Sequence, residues 1–361
     1  MEVYALHFPL PRRDLESLER ILERAAIFRT SFDDFGSDVY RMATYRTEKA
    51  AYGTQSYMLI DRNIISRLVG LVQGNRANED HRLAAAALAF AQCANMVVEP
   101  NLALYELAQT GTQSEAHSEL GRFRIADEVD PRLYADIALS RRDFIPAALL
   151  PTGKRLIEDV PDLTVPLRGW RSNYILALKL STIELQGGTA EEKMRRFVEW
   201  MRDEFVFGAS ATVFAHYYFA PGKPKRRMLK SLRSQDRQLA LWGIRNAAWD
   251  LNLVADWARH VQRQEQEFKL WVLCSRDASI GRIAGDLLSP GGPEITTEQL
   301  AEALFVKHWG LALGRRLLRH YLDAGATIGD SGRADHDRRS MMSKDNFIRT
   351  LEAEITAWRL S

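Results

Sequence analysis

The sequence predicts an α/β protein, helix-rich overall, built on a parallel sheet flanked by helices. Two observations carry that expectation. Short apolar runs end in an acid and pass directly into segments whose apolar residues recur at helical spacing. Helices and strands alternate along residues 1–110 and again along 239–292, the order expected of a parallel sheet covered on its faces.

The first residues, MEVYALHFPL, read as a strand. No basic region precedes their apolar stretch and no small-residue cleavage site follows it, so they do not read as a signal peptide. Residues 15–29 place Leu18, Ile21, Leu22, Ala25 and Ala26 on one helical face, with Asp14 at its start. A short apolar run, 57–61, ends in Asp61 and enters a helix over 63–73 through Ile64, Ile65, Leu68, Val69 and Val72. Residues 83–98 form a long stretch without charge. It falls short of the ~20 apolar residues that cross a bilayer, and Gln92 and Asn95 interrupt it. It reads as a buried alanine-rich helix leading to a second strand at 95–99. Pro100 then turns the chain into a helix at 102–109, a position where its missing N–H is tolerated.

From Thr110 to about Gln238 the alternation lapses. Residues 110–128 are polar, while 130–139, 171–185 and 190–207 read as helices, the last with Met194, Phe197, Val198 and Met201 on one face. The pattern resumes with a helix over 244–261 and the clearest strand of the chain, 268–274. That strand runs through Ser275-Arg276-Asp277 into a helix carrying Ile280, Ile283, Ala284 and Leu287. A helix over 297–322, a polar loop over 328–344 and a helix over 346–360 complete the chain. The expected organisation is therefore a first half of an α/β core at 1–110, a helical insertion with a basic loop at 111–238, a second half of the core at 239–292 and a helical extension at 293–361.

Of the 361 residues, 46% are hydrophobic and 27% charged, the balance of a globular protein. The formal net charge of +2 is too small to name a partner, so any nucleic-acid surface must be a local patch. Cys93 and Cys274 lie in apolar settings outside any metal-binding spacing and read as buried thiols, with a disulfide or a reactive thiol as alternatives. The eight histidines show no zinc spacing, and there is no GxSxG, GxGxxG or P-loop. His336-Asp337 falls in a polar loop without supporting histidines. No segment reads as a membrane span, and a cytoplasmic protein is expected.

The candidate site residues are acids. Asp61 and Asp277 each end an apolar strand just before a helix, and the carboxyl ends of parallel strands are where ligands bind. Taken alone, either could equally be a helix N-cap. Glu106 and Asp250 are single charges on otherwise apolar or neutral helical segments. A buried carboxylate without a partner is expensive, and a bound cation is one partner; a paired core acid or a solvated edge is the other reading.

The ordered set resembles the PIN domain. Leu59-Ile-Asp61-Arg-Asn63 is similar to the family's first strand, its terminal Asp and the Asn two residues on. Met96-Val-Val-Glu99-Pro-Asn-Leu-Ala-Leu-Tyr-Glu106 is similar to the second strand and the helix with an inward Glu. Asp250-Leu-Asn-Leu-Val-Ala255 is similar to the Asp that opens a helix of small and apolar residues. Leu270-Trp-Val-Leu-Cys-Ser275-Arg-Asp277 is similar to the last strand with its Ser/Thr-x-Asp. The long stretch between Glu106 and Asp250 makes this an elaborated relative with a helical insertion. The resemblance implies a PIN-like parallel sheet and an Mg²⁺- or Mn²⁺-dependent nuclease, with RNA favoured over DNA, and a toxin or defence role with an antitoxin or defence-system partner. It implies catalytic and metal-binding roles for Asp61, Glu106, Asp250 and Asp277, with Asn63 and Ser275 in support. Glu99, at a strand end, competes with Glu106 for the second acid.

Converging carboxylates suit that chemistry. Hard divalent cations prefer oxygen ligands and need no histidine, and they supply both a nucleophilic water and charge on the departing oxygen. A substrate surface is offered by residues 221–237, where Lys223, Lys225, Arg226, Arg227, Lys230, Arg233 and Arg237 face one acid, Asp236. Phe214, Tyr217, Tyr218 and Phe219 precede them. Basic side chains that neutralise phosphates and rings that stack on bases would make a nucleic-acid surface; a solvated loop beside core aromatics is the alternative. A carboxylate nuclease of the DEDD or RNase H kind, or a non-catalytic helical scaffold or nucleic-acid-binding protein, would use the same residues differently.

Overall fold

The computed structural model describes residues 6–30, 38–151, 162, 163, 165, 167, 169–206, 208–222, 228–287, 297–326 and 344–359. The chain divides into two compact units, Met1–Pro166 with Trp257–Gly281 and Leu167–Asp256 with Arg282–Ser361. The segment expected as an insertion contributes to both, since residues up to 166 belong to the first unit.

The first unit contains α1 (Arg12–Ala25), β1 (Phe28–Arg29), α2 (Met42–Tyr52), β2 (Gln55–Ile60), α3 (Arg62–Val72), α4 (Glu79–Ala94) and β3 (Val97–Glu99). It continues with α5 (Asn101–Thr110), α6 (Gln113–Asp127), α7 (Pro131–Ala138) and, much later in the chain, β4 (Lys269–Cys274). The sheet order is β1-β4-β2-β3. β2 pairs in parallel with β3 and β4, and β1 pairs antiparallel with β4. The α/β expectation holds, but the sheet is mixed, with three parallel strands and a short antiparallel edge.

Burial explains the strand sequences. β2 and β4 lie inside the sheet, and Met58, Leu59, Ile60 and residues 270–274 are all buried, the continuous apolar run of strands covered on both faces. Met58, Ile60, Val98, Leu270, Val272 and Cys274 join α1, α3 and α4 in one core. α4 is buried nearly all round because its alanines let neighbouring elements approach closely. Asn78 and His81 form its capping box.

Several expected elements are corrected. Residues 6–11 form no strand, and residues 1–5 of the expected first strand lie outside the described residues. The β1 strand comes instead from Phe28–Arg29, which the helical pattern had absorbed, because α1 stops at Ala25 with Ala26 in the left-handed region at φ 50°. The polar residues 110–128 contain α6, started by the reciprocal capping box of Thr112 and Glu115.

Among its described residues the second unit is helical, with α8 (Trp170–Gln186), α9 (Ala190–Asp203), α10 (Ala209–Phe219), most of α11 (Arg237–Val261) and most of α13 (Ala278–Leu287). The short α12 (Gln264–Glu267) belongs to the first unit. The helix expected over 297–322 is two, α14 (Thr297–Trp309) and α15 (Leu311–Ala326), separated by Gly310 at φ +76°. A last helix, α16, spans Lys344–Ala357; the loop expected at 328–344 lies almost wholly outside the described residues. Phe197, Phe205, Phe214 and Phe219 fill this unit's core. Asp286 accepts from Lys307 Nζ and pairs with His308 Nε2, both at 2.7 Å, tying α13 to the end of α14. No helix among the described residues is long and apolar enough to cross a membrane.

One close approach is directly testable. A Cβ at Gly243 would lie 2.0 Å from the backbone oxygen of Lys230, which cannot yield without moving the chain. Gly243→Ala is expected to destabilise the second unit by about 1–3 kcal/mol in chemical denaturation; an unchanged midpoint would show that this packing is not rigid.

Candidate functional site at the carboxyl ends of β2 and β4

The parallel register ends at Ile60↔Cys274. Asp61 N–H then donates to Cys274 O at 2.9 Å, and Ser275 N–H to Ile27 O at 3.0 Å. Asp61 and Ser275 therefore leave the sheet side by side. From β2 the chain passes first to β3 on one flank, and β4 lies on the other flank. The β2/β4 boundary is thus a topological switch point, where a crevice opens at the carboxyl ends of the strands.

Asp61 is buried and stands at the N-cap position of α3, yet its side chain closes no capping hydrogen bond there, although the Asn63 N–H leans toward the carboxylate. Instead its Oδ2 accepts from Ser275 Oγ at 2.7 Å and from Asn63 Nδ2 at 3.3 Å. Ser275 Oγ in turn accepts from the Asp277 N–H at 3.1 Å. Asp277 does cap: its Oδ1 accepts from Ser279 N–H at 2.6 Å at the start of α13. One buried hydroxyl joins the Asp61 carboxylate to the backbone N–H of Asp277, and the two acids differ in what holds their side chains.

Burial raises the pKa of Asp61, the charge of Asp277 raises it further, and the Ser275 and Asn63 hydrogen bonds lower it. Burial likewise pushes Glu106 up to about 7; Arg62 opposes this from 3.3 Å, and the charge of Asp61 adds to it. Asp61 therefore feels both Asp277 and Glu106. Glu119 on α6 is also raised by burial, against Arg62 and Arg122. Neither Arg62 nor Glu119 stood out in the sequence, the latter because α6 carries no apolar pattern.

The other expected residues fall elsewhere. Glu99 ends β3, and its Oε1 accepts from the Asn101 N–H at 3.1 Å, a local turn contact. Asp250 is half-buried on α11 in the second unit. Lys223, Lys225, Arg226 and Arg227 lie outside the described residues. Lys230 is exposed, Arg233 pairs with Glu184 at 3.4 Å, and Arg237 is buried, donating to the carbonyls of Leu232, Ser234 and Ile355. Phe214, Tyr218 and Phe219 are buried and Tyr217 half-buried, so these aromatics serve the helical core. Cys93 and Cys274 are free and buried, and burial pushes the Cys93 thiol up to about 12.

A cavity of about 260 Å³ adjoins the acids, lined by Asn63, Ile64, Arg67, Asp80, Arg276 and Asp277. Asp80 pairs with Arg276 and, at 3.5 Å, with Arg67. Among the described residues no three His, Cys, Asp or Glu side chains are grouped so as to hold a metal. The charge of Asp277 nonetheless reaches the buried Asp61 carboxylate and raises its pKa.

The raised Glu106 makes stability depend on pH. Its folded pKa of about 7 exceeds the ordinary 4.5, so the folded state holds its proton longer than the unfolded chain. Stability should be full below about pH 4.5 and fall by on the order of 3 kcal/mol as pH rises through about 7. Glu106→Gln should flatten that part of the profile in urea unfolding followed from pH 5 to 8. Identical slopes for variant and wild type would refute the assignment.

Compared with family models, curated proteins and solved structures, the chain matches none.

Proposed function

We propose that the first unit is a metal-dependent nuclease with a PIN-like sheet, hydrolysing phosphodiester bonds with Mg²⁺ or Mn²⁺ and acting on RNA ahead of DNA. The observation that carries this reading is the position of Asp61 and Asp277 at the β2/β4 switch point, where Ser275 Oγ links the Asp61 carboxylate to the Asp277 backbone N–H. Three parallel strands with acids beyond their carboxyl ends support the PIN-like assignment. The preference for RNA, and a toxin or defence role with an antitoxin or defence-system partner, rest on the resemblance of the motifs.

Asp61 and Asp277 are the residues that would hold the cation. When bound, it neutralises charge on the phosphate and lowers the pKa of water. Mutual repulsion and burial favour such an ion, because each raises the energy of the ionised acids that the ion relieves. Ser275 and Asn63 fix the rotamer of Asp61 through Oδ2, and the Ser279 N–H fixes Asp277 through Oδ1. Glu106, with its pKa of about 7 set by burial and opposed by Arg62, can take up or release a proton at neutral pH. The resemblance makes Asp250 a fourth acid; since it belongs to the other unit, its own variant tests that role. The cap made by Asp277 favours a second reading, in which that acid is structural and the unit a non-catalytic binding module.

The test is cleavage of end-labelled single-stranded RNA and DNA with Mn²⁺. Ser275→Ala is expected to lose about 10–100-fold in rate, and Asp61→Asn and Asp277→Asn more, all with wild-type circular dichroism. Wild-type rates in both aspartate variants would end the nuclease reading. Full activity in Asp250→Asn would remove the fourth acid from it.

A further inference from the structure

The cavity beside Asp277 has a lining that the acids do not explain. Asn63, Ile64 and Arg67 present one side of α3, positions 63 and 67 being helical neighbours. Asp80 comes from the first turn of α4, and Arg276 from the turn between β4 and α13. Three separate elements thus bring two guanidinium groups to one carboxylate. Arg276 takes Asp80 Oδ1 and Arg67 takes Oδ2. The arginine side chains are 49% and 44% exposed, and Asp80 27%.

A guanidinium carries five N–H donors in a planar fork, and Asp80 has two oxygens to offer the pair. Donors on both arginines therefore exceed what this acid can accept, and they stand at a cavity open to water. Planar forks of this kind match the oxygens of a phosphate, which can bridge two of them. Asp80 occupies the place such an anion would take, pairing with both arginines.

We propose that this cavity binds a phosphate group of a nucleic-acid strand, with Arg67 and Arg276 as its ligands and Asp80 as the anion it displaces. The inference deepens the nuclease reading by adding a backbone-binding subsite next to Asp277, but the binding itself needs neither metal nor cleavage. The phosphate could be a terminal monoester or an internal diester; the chemistry is shared, and the probes separate them.

The experiment titrates the full chain, in EDTA and low salt, with inorganic phosphate and with uridine trinucleotides bearing a 5′-phosphate or a 5′-hydroxyl. Calorimetry reads the affinity. Arg67→Ala/Arg276→Ala is expected to weaken binding by about tenfold or more, and Asp80→Asn to strengthen it several-fold by removing the competing anion. A purely structural role for Asp80 would move the second result in the opposite direction. Preference for the 5′-phosphorylated trinucleotide assigns a terminal phosphate, and equal binding of the two trinucleotides an internal one. Wild-type affinity in the double arginine variant, or weaker binding in Asp80→Asn, overturns the proposal. Asp61→Asn separates the two claims. If it abolishes cleavage while the arginine variants bind normally, the subsite falls and the nuclease stands. Binding lost with the arginines in a chain that cleaves nothing gives the converse.

Discussion

The parallel pairing of β2 with β4, closed at Ile60 and Cys274, decides where the chemistry of the first unit can stand. Because that register ends both strands at one level, Asp61 and Ser275 emerge side by side and a 2.7 Å hydrogen bond joins them. A slip of one residue would turn every side chain of a strand to the other face. The core forbids it: Met58, Ile60, Val272 and Cys274 all point into the same buried cluster, and exchanging them with Tyr57 or Lys269 would bury polar atoms. Hydrophobic packing thus sets the position of a polar contact it does not touch. β1 adds a second constraint, since the Ser275 N–H is held by Ile27 O across the antiparallel edge.

The electrostatics follow from that geometry. Burial raises the pKa of Asp61, just beyond β2, and of Glu106 on α5, and the charge of Asp277 adds to the first as that of Asp61 adds to the second. A fold can tolerate this by protonation, by a salt bridge or by a cation. Arg62 answers for Glu106 in part, leaving its pKa near 7. For Asp61 the hydrogen bonds from Ser275 and Asn63 are neutral donors, which orient the carboxylate without cancelling its charge.

Legibility of the sequence tracked how locally each feature is determined. β2, β4 and the helices after them were readable because an apolar run and a helical stripe meet at Asp61 and at Asp277. The two-residue β1 was not, because it exists through its partner β4 and has no pattern of its own. α6 was hidden by a nearly uniform polar surface, although Thr112 and Glu115 did carry its starting signal. Gly310 divided a stripe that periodicity alone would continue. The acids Asp61, Glu106 and Asp277 were legible from order and element. Arg62, Arg67 and Asp80 were not, since a charged residue on a helix face looks the same whether it meets water or another element's charge.

The contrast between Asp61 and Asp277 bears on what kind of site this is. Both occupy N-cap positions, where an Asp is expected for structural reasons alone. Asp277 meets that expectation with one oxygen. Asp61 closes no capping hydrogen bond, although the Asn63 N–H leans toward its carboxylate, and its Oδ2 turns to the Ser275 hydroxyl at the end of the neighbouring strand. Replacing a cap costs about 1 kcal/mol, whereas Asp61 is held chiefly by the Ser275 and Asn63 side chains. On the proposed nuclease reading, Asp61 and Asp277 would leave a hydrated hard cation to be completed by water and by substrate phosphates. A phosphate held by Arg67 and Arg276 beside Asp277 would supply that remaining oxygen, so the scarcity of acidic ligands and the surplus of arginine donors describe the same site from its two sides.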